Sequence, residues 1–253
     1  MKKILLSIVA ASMTLAACNA QSGFKVTGNV QGIQVPKAAL VTFADNKVDT
    51  LAKADIANGA FEFTGKVDGI TAAYIVFPGQ QGGIPVMLEN TNITVNADQS
   101  GLKIEGGEAQ KLFNQFSEIN QGIMQEQMRL NGEYQAAGQA QDQAKMQAIQ
   151  EEFGKIVEAA QAKELELIKA NSDSYVAAFV IASAMGQMEY EQLKERFALL
   201  GENAKASTQG KAIADQIAKL EKTAVGQVAP NFTVTTPEGE SISLYDIKGK
   251  VKL

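Results

Sequence analysis

The hydrophobic pattern first indicates a β-rich region. Between residues 24 and 105, short apolar runs alternate with polar positions at a period of two, and glycine and proline fall in the gaps. Asn58-Gly59 lies between two such runs, which predicts a two-residue hairpin. The predicted strands include Phe24–Thr27, Leu40–Phe43, Ala52–Ile56, Ala60–Thr64, Ala72–Phe77, Ile84–Leu88, Asn92–Ala97 and Leu102–Glu105. Short strands at this spacing predict an antiparallel β-sandwich over residues 24–105.

A helical period replaces this pattern after Gly106-Gly107. Apolar residues then recur every three or four positions, as in Leu112, Phe116, Ile119 and Ile123, and again in Met146, Ile149, Phe153, Ile156 and Ala160. The spacing predicts two long helices that bend at Gly138, with Asn131-Gly132 as a second candidate break. Further helices are predicted over Tyr175–Met185, Tyr190–Leu200 and Ala206–Lys222. The helical region therefore covers residues 106–224, and the pattern returns to strand and turn in residues 225–253.

Glutamine is dense between Gln110 and Gln161 but falls mostly off the apolar stripes. One interpretation is a solvated helix face. The alternative is a helical arm that docks on a partner, and a long amphipathic pair of this kind is compatible with a homodimer.

The N-terminus has the pattern of a targeting segment. Lys2-Lys3 precedes an uncharged run, Ile4–Leu15, which is too short for a membrane-spanning helix of about 20 residues. The run closes on Leu15-Ala16-Ala17-Cys18, which resembles a bacterial lipobox. This pattern predicts a signal peptide over residues 1–17, cleavage between Ala17 and Cys18, lipidation of Cys18 and a tether over residues 18–23. The alternative is an ordinary secretory signal followed by a coincidental cysteine.

Two counts limit the chemistry of the chain. It contains 0 histidines, which excludes a Ser-His-Asp triad, a Cys-His pair and a His-based zinc site. It contains 1 cysteine, which excludes an internal disulfide and a C-x-x-C redox pair. The net charge of −5 argues against a nucleic-acid partner. The sequence therefore predicts no catalytic residue, no cofactor and no metal ligand.

Carboxylates are the remaining acid–base candidates. Glu151-Glu152 and Glu164-Leu165-Glu166 fall on predicted helices, where Glu151 has the spacing to pair with Lys155. A carboxylate hydrolase would need two of these groups to face each other across a cleft. Asp45–Asp49 lacks the spacing of a calcium loop. Asp49-Thr50-Leu51 resembles a bacterial O-glycosylation tripeptide, for which the alternative is an exposed strand edge.

The final segment carries the most specific resemblance. Residues 225–232 read VGQVAPNF, and residues 242–251 read ISLYDIKGKV. These runs resemble the opening of envelope thiol-disulfide oxidoreductases of the thioredoxin-like, peroxiredoxin-related superfamily. The resemblance implies a short hairpin, then a core strand whose far end carries W-C-x-x-C. Residues 24–105 are similar to an uncharacterised β-rich domain that commonly precedes such enzymes in lipoproteins.

The chain departs from that family because it ends at Leu253 without the C-x-x-C pair. Dithiol exchange requires two thiols, so the chain as given is expected to be a truncated and catalytically incompetent member. The segment from Val225 is expected to be loosely held or borrowed by a neighbour. The expected whole is an α+β protein: a β-sandwich, a helical segment and a truncated thioredoxin-like stub. It would face the periplasm in the cell envelope, held to the membrane by the lipid on Cys18. The alternative function is a non-enzymatic binding or scaffold lipoprotein that uses the sandwich and the helical arm on envelope proteins.

Overall fold

The computed structural model describes residues 23–247, except 33, 34, 45, 46, 100, 225 and 229. Within that range the protein is of the α+β class: a β-rich region is followed by helices and then by a short two-stranded sheet. The first eight strands are β1 (Phe24–Val30), β2 (Lys37–Ala44), β3 (Lys47–Asp55), β4 (Ala60–Gly65), β5 (Thr71–Val76), β6 (Ile84–Leu88), β7 (Asn92–Asp98) and β8 (Gly101–Glu105). The helices are α1 (Glu108–Gln139), α2 (Gln143–Ala170), α3 (Tyr175–Ala184), α4 (Tyr190–Leu199), α5 (Glu202–Ala206) and α6 (Thr208–Glu221).

The eight strands form two four-stranded sheets, in the orders β4-β1-β7-β8 and β3-β2-β5-β6. The prediction of antiparallel pairing is wrong at one place, because β1 and β7 run parallel, with Val26 opposite Ile93. Parallel neighbours need a long connection, and the chain between these strands contains the whole second sheet. The first sheet is therefore mixed.

The Asn58-Gly59 turn is confirmed, but the predicted hairpin is not. Asn58 has φ 51° and Gly59 has φ 81°, and the backbones of Ala57 and Ala60 exchange two hydrogen bonds of 3.0 and 2.9 Å. Beyond this bridge the strands separate, because β3 pairs along its length with β2, and β4 pairs with β1. The turn thus carries the chain from one sheet to the other.

One face of most strands lies in a common core, and β3 adds only the partly buried Ala52 and Ala54 at its margin. Alternate residues of β1 are buried, beginning with Phe24 and Val26, and the neighbouring strand β4 buries Phe61 and Phe63. Residues of both sheets belong to the same apolar cluster, among them Leu40, Ile75, Leu88, Ile93 and Ile104. Each such side chain stabilises the fold by about 1.5–3 kcal/mol when fully buried.

A second core lies between the helices and the other face of β5 and β6. Ala73 and Val86 belong to the first cluster, whereas their sequence neighbours Ala72 and Met87 pack among the helices. At the centre of this second cluster, α3 fully buries four apolar residues, namely Val176, Ala177, Ala178 and Ile181. The prediction of a buried apolar helix over Tyr175–Met185 is confirmed within one residue.

The two long helices also follow the sequence prediction. The turn between α1 and α2 follows Gly138 within two residues, and α2 begins where the Asp142 side chain accepts a hydrogen bond of 3.0 Å from the backbone N–H of Lys145. Helix α1 runs without a break through Asn131-Gly132, so the second candidate break is wrong. The predicted helix over Ala206–Lys222 begins later, at Thr208, because the Ser207 side chain caps it and α5 precedes it.

After the helices, β9 (Thr233–Thr235) and β10 (Ser241–Ser243) form a two-stranded antiparallel sheet. The Asn231 side chain accepts hydrogen bonds of 2.6 Å from Ser243 Oγ and 3.1 Å from the backbone N–H of Tyr245. Large apolar side chains of this segment are exposed: Val228, Phe232, Val234, Tyr245 and Ile247. Among the described residues, no helix combines the length and apolar character needed to span a membrane.

Candidate functional site

The two positions predicted for processing, Ala17 and Cys18, lie outside the described residues. Cleavage and lipidation therefore stay predictions from the sequence. Part of the Asp45–Asp49 run, residues 45 and 46, also lies outside them. The described part of the chain contains no group of three or more His, Cys, Asp or Glu residues that could hold a metal ion.

The candidate acids Glu151 and Glu152 lie exposed on α2. Glu152 pairs with Arg129 of α1, and the same guanidinium also binds Glu126 and Glu133. The hydrogen bonds to Glu152 and Glu126 raise the pKa of Arg129 above its ordinary value. Glu151 accepts a hydrogen bond of 3.1 Å from Gln147 Nε2, and the described ion pairs do not include its expected pair with Lys155. Glu152 therefore joins α2 to α1, whereas the hydrogen bond of Glu151 lies within α2.

The second candidate pair is Glu164 and Glu166. Glu164 lies 3.4 Å from a terminal nitrogen of Arg196, and Arg196 is only 7% exposed. Glu166 is exposed. This contact joins α2 to α4. The partners found for Glu151, Glu152 and Glu164 are cations or an amide, so the geometry gives no support to carboxylate hydrolysis.

A buried amide network joins the two sheets to the first turns of α1. Gln110 is fully buried, and its Oε1 accepts a hydrogen bond of 2.8 Å from the backbone N–H of Met87 in β6. Its Nε2 donates to Asn114 Oδ1 at 2.8 Å, and Asn114 Nδ2 donates to the carbonyl of Ile104 in β8 at 2.7 Å. Strands β6 and β8 are edge strands of different sheets. Helix α1 thus closes the open edge that both sheets share.

The start of α1 is fixed by a second side chain. Glu89 accepts a hydrogen bond of 3.2 Å from the backbone N–H of Ala109, which is one of the free donors of the first helical turn. A Cβ atom on Gly107, whose φ is +77°, would lie 2.0 Å from the Glu89 carboxylate. Glycine at this position lets the carboxylate reach the helix terminus.

Tyr175 makes the equivalent link between β5 and the smaller helices. Its hydroxyl oxygen accepts hydrogen bonds from the backbone N–H of Ala72 at 3.4 Å and from Gln209 Nε2 at 2.9 Å. Its ring stacks on Phe179, which in turn makes an edge-to-face contact with Phe113 of α1. Burial raises the pKa of the Tyr175 hydroxyl above its ordinary value.

The α1–α2 pair continues beyond these contacts as an arm, defined here as residues 118–163. Neither apolar cluster includes a residue of the arm. The two helices of the arm meet along a narrow seam, where Leu130, Ala137, Ile149 and Ala160 are buried. The arm is therefore stabilised mainly by contacts within itself.

The two sides of the seam differ in charge. One side is a groove of about 430 Å³ over Leu130 and Ile149, bordered by Gln127, Met128, Asn131, Tyr134, Gln150 and Phe153. Gln150 Nε2 donates a hydrogen bond of 3.4 Å to the Tyr134 hydroxyl across this groove. All of these side chains are uncharged, and we call this surface the neutral face. The groove on the other side of the seam is bordered by the charged residues Glu118, Glu126 and Lys163. Glu126 also pairs with Arg129, so the Arg129 ion pairs lie on this side.

The remaining sequence candidate, Asp49-Thr50-Leu51, lies on the exposed edge strand β3. Beside it on the same sheet, Phe43 is 59% exposed and makes an edge-to-face contact with Tyr74 at 5.2 Å. The structure agrees with the interpretation of this tripeptide as a strand edge and leaves its glycosylation untested.

Sequence reasoning missed Gln110. It lies at the start of a glutamine-dense region that was interpreted as a solvated face, and that interpretation holds for exposed members such as Gln115, Gln121 and Gln125. A signal was present, because Gln110 and Asn114 have the i,i+4 spacing at which side chains on a helix hydrogen-bond. That spacing alone does not distinguish a buried pair from an exposed one.

Comparison with known proteins finds one family model that matches part of the chain. Residues 24–113 match the model of a domain of unknown function (DUF4369). The match covers β1 to β8 and the start of α1 up to Phe113, and so includes Gln110. No curated protein and no solved structure matches the chain. The match supplies a boundary for the β-rich unit and no activity.

We expect the substitution Gln110→Leu to lower the free energy of unfolding by about 2 kcal/mol. Leucine leaves the buried N–H of Met87 without its acceptor and removes the partner of the Asn114 amide. Urea unfolding followed by circular dichroism measures the change. The control is Gln115→Leu on the exposed side of the same helix, for which we expect a change within about 0.5 kcal/mol. Equal effects of the two substitutions would contradict the role of Gln110.

The substitution Tyr175→Phe should change how stability depends on pH in the alkaline range. Because folding raises the Tyr175 pKa, the unfolded chain ionises first once the pH passes about 10. Stability is therefore complete below that pH and falls until the pH passes the pKa of the folded state. Phenylalanine removes this titration, so the variant should lose less stability above pH 10 than the parent. Unfolding in urea at a series of pH values tests this, with Tyr245→Phe, an exposed tyrosine, as the control.

Proposed function

We propose that the chain is the non-catalytic part of a lipid-anchored envelope protein, and that a thioredoxin-like thiol-disulfide oxidoreductase domain opens at residue 225. The anchor is the lipid on Cys18, and the protein faces the periplasm. Within this proposal the two sheets form a β-sandwich, an inference supported by the apolar cluster to which both contribute.

The proposed anchor would lie close to the first strand. Only Asn19–Gly23 lies between Cys18 and β1. Five extended residues reach at most about 17 Å, so the lipid would hold the β-rich unit close to the membrane surface. Hydrophobic attachment by several acyl chains would supply the affinity, since the cleaved chain, without Lys2 and Lys3, has no surplus of basic residues for anionic lipid.

The observation that carries the oxidoreductase part of the proposal is the segment after α6. Val228, at 80% exposure, and Phe232, at 58%, precede the β9–β10 sheet in a run that resembles the opening of a thioredoxin-like domain. Apolar side chains of a two-stranded sheet need a further layer to cover them. A following domain of the resembled family would supply that layer.

The alternative function is a non-enzymatic binding or scaffold lipoprotein. The neutral face of the arm favours it, because an uncharged groove that no other part of the described chain covers is the kind of surface at which proteins associate. The two proposals differ in one observable: the first requires a C-x-x-C pair in the native protein, and the second does not.

The substitution Cys18→Ala should release the protein from membranes or leave its signal uncleaved, because no thiol is then available for acylation. Fractionation of cells that produce the full chain, followed by immunoblotting of the membrane and soluble fractions, measures this. The matched control is Ser22→Ala in the proposed tether, which leaves the cysteine in place and should stay with the membrane. An unchanged membrane fraction and size for the Cys18→Ala variant would refute the anchor.

The intact mass of the native protein from cell envelopes should exceed that of residues 18–253 by acyl groups and by a further domain, on the order of 100 residues or more. Tandem mass spectrometry of the extra segment should then find the C-x-x-C pair, which can be titrated with a thiol reagent. A mass equal to residues 18–253 plus acyl groups would instead favour the scaffold function. That outcome would leave the anchor standing and remove the oxidoreductase.

A further inference from the structure

We propose that two copies of this chain associate through the neutral faces of their arms, so that four helices pack together about a two-fold axis. This inference concerns residues 118–163 and does not depend on the anchor or on a following redox domain.

The arm buries few apolar side chains for the length of its two helices. Helices in proteins are stabilised mainly by burial of an apolar face. The arm buries Leu130, Ala137, Ile149 and Ala160 between its two helices and takes no part in either apolar cluster. Met128 borders the groove of the neutral face and is 68% exposed, and Met124, about one helical turn before it on α1, is 60% exposed. A second pair of helices over this face would cover these side chains.

The distribution of charge favours a second copy as the occupant. In a two-fold symmetric contact the same surface meets itself, so each charge is brought near its own equivalent. The groove residues Gln127, Met128, Tyr134, Gln150 and Phe153 carry no charge, so contact between the two grooves brings no like charges together. The charged residues of the arm that the structure pairs, such as Arg129 with Glu126, lie on the other side of the seam, where they stay in water.

The size of the surface is sufficient for a specific dimer. The part of α1 in the arm, Glu118–Gln139, is about 33 Å long, and two helices side by side are about 20 Å wide. A contact along this whole length, with the neutral face at its centre, would cover roughly 650 Å² per copy, somewhat below the ~800 Å² per partner of a standard interface. The flexible Met128 side chain of one copy can enter the groove between Tyr134 and Phe153 of the other, since methionine adapts to irregular gaps.

Sedimentation of the full chain, purified in a mild detergent, tests the proposal. The parent should sediment at twice the mass of a single chain at micromolar concentration. The double substitution Met124→Glu and Met128→Glu places four carboxylates across the symmetric contact and should raise the dissociation constant about 100-fold or more, or roughly 2.7 kcal/mol. The control Ala159→Glu adds a carboxylate to the other groove of the same arm and should leave the dimer intact.

Circular dichroism shows whether the variants keep their helices. If the glutamate variant loses helix, Met124→Gln with Met128→Gln replaces it, which removes the apolar contact without adding charge. A parent that is monomeric at about 100 μM, or a neutral-face variant that dimerises as well as the parent, would overturn the proposal. So would a monomeric parent whose neutral face instead captures another envelope protein.

Discussion

The need to satisfy buried polar groups at one sheet edge determines how the two halves of this protein are joined. Gln110 is fully buried, and its amide and that of Asn114 together bind a backbone N–H of β6 and a carbonyl of β8. Leaving either backbone group unpaired in the interior would cost about 1–3 kcal/mol. Helix α1 therefore has one favourable position and register on the sheets, and the Glu89 carboxylate at its N-terminus fixes where it begins.

The position of α1 in turn decides where the helical part lies. The outer face of β5 and β6 presents Ala72 and Met87, and these residues pack in the same cluster as α1 and α3. Tyr175 adds a hydrogen bond to the backbone of that face. The long helices then leave the sheets in a fixed direction, and the arm extends beyond both apolar cores. The groove of the arm is exposed because α1, once positioned on the sheets, carries residues 118–163 beyond them.

In this arrangement the candidate carboxylates and the exposed grooves bear on contacts between surfaces. Two of the carboxylates that were candidates for acid–base chemistry, Glu152 and Glu164, pair instead with arginines of neighbouring helices. The uncharged groove of the arm and the exposed apolar residues of the final segment are both surfaces that another protein surface can cover. The family match ends at Phe113. It therefore covers the two sheets and the start of α1, and it does not include the arm.

The sequence by itself determined the elements of this fold. The eight strands and the long helices follow from local periods of two and of about 3.6, and the Asn58-Gly59 turn follows from the positive φ values that these residues tolerate. The sequence also excluded histidine and dithiol chemistry within this chain, because residue counts can be read without knowing the structure. Only the tertiary structure decided that β1 pairs in parallel with β7, that β3 and β4 separate into different sheets, and that Gln110 is buried while Gln115 is exposed. Those choices depend on backbone groups, which are the same at nearly every residue, and on partners far along the chain. The side-chain pattern indicates which face of an element is buried but not what it is buried against.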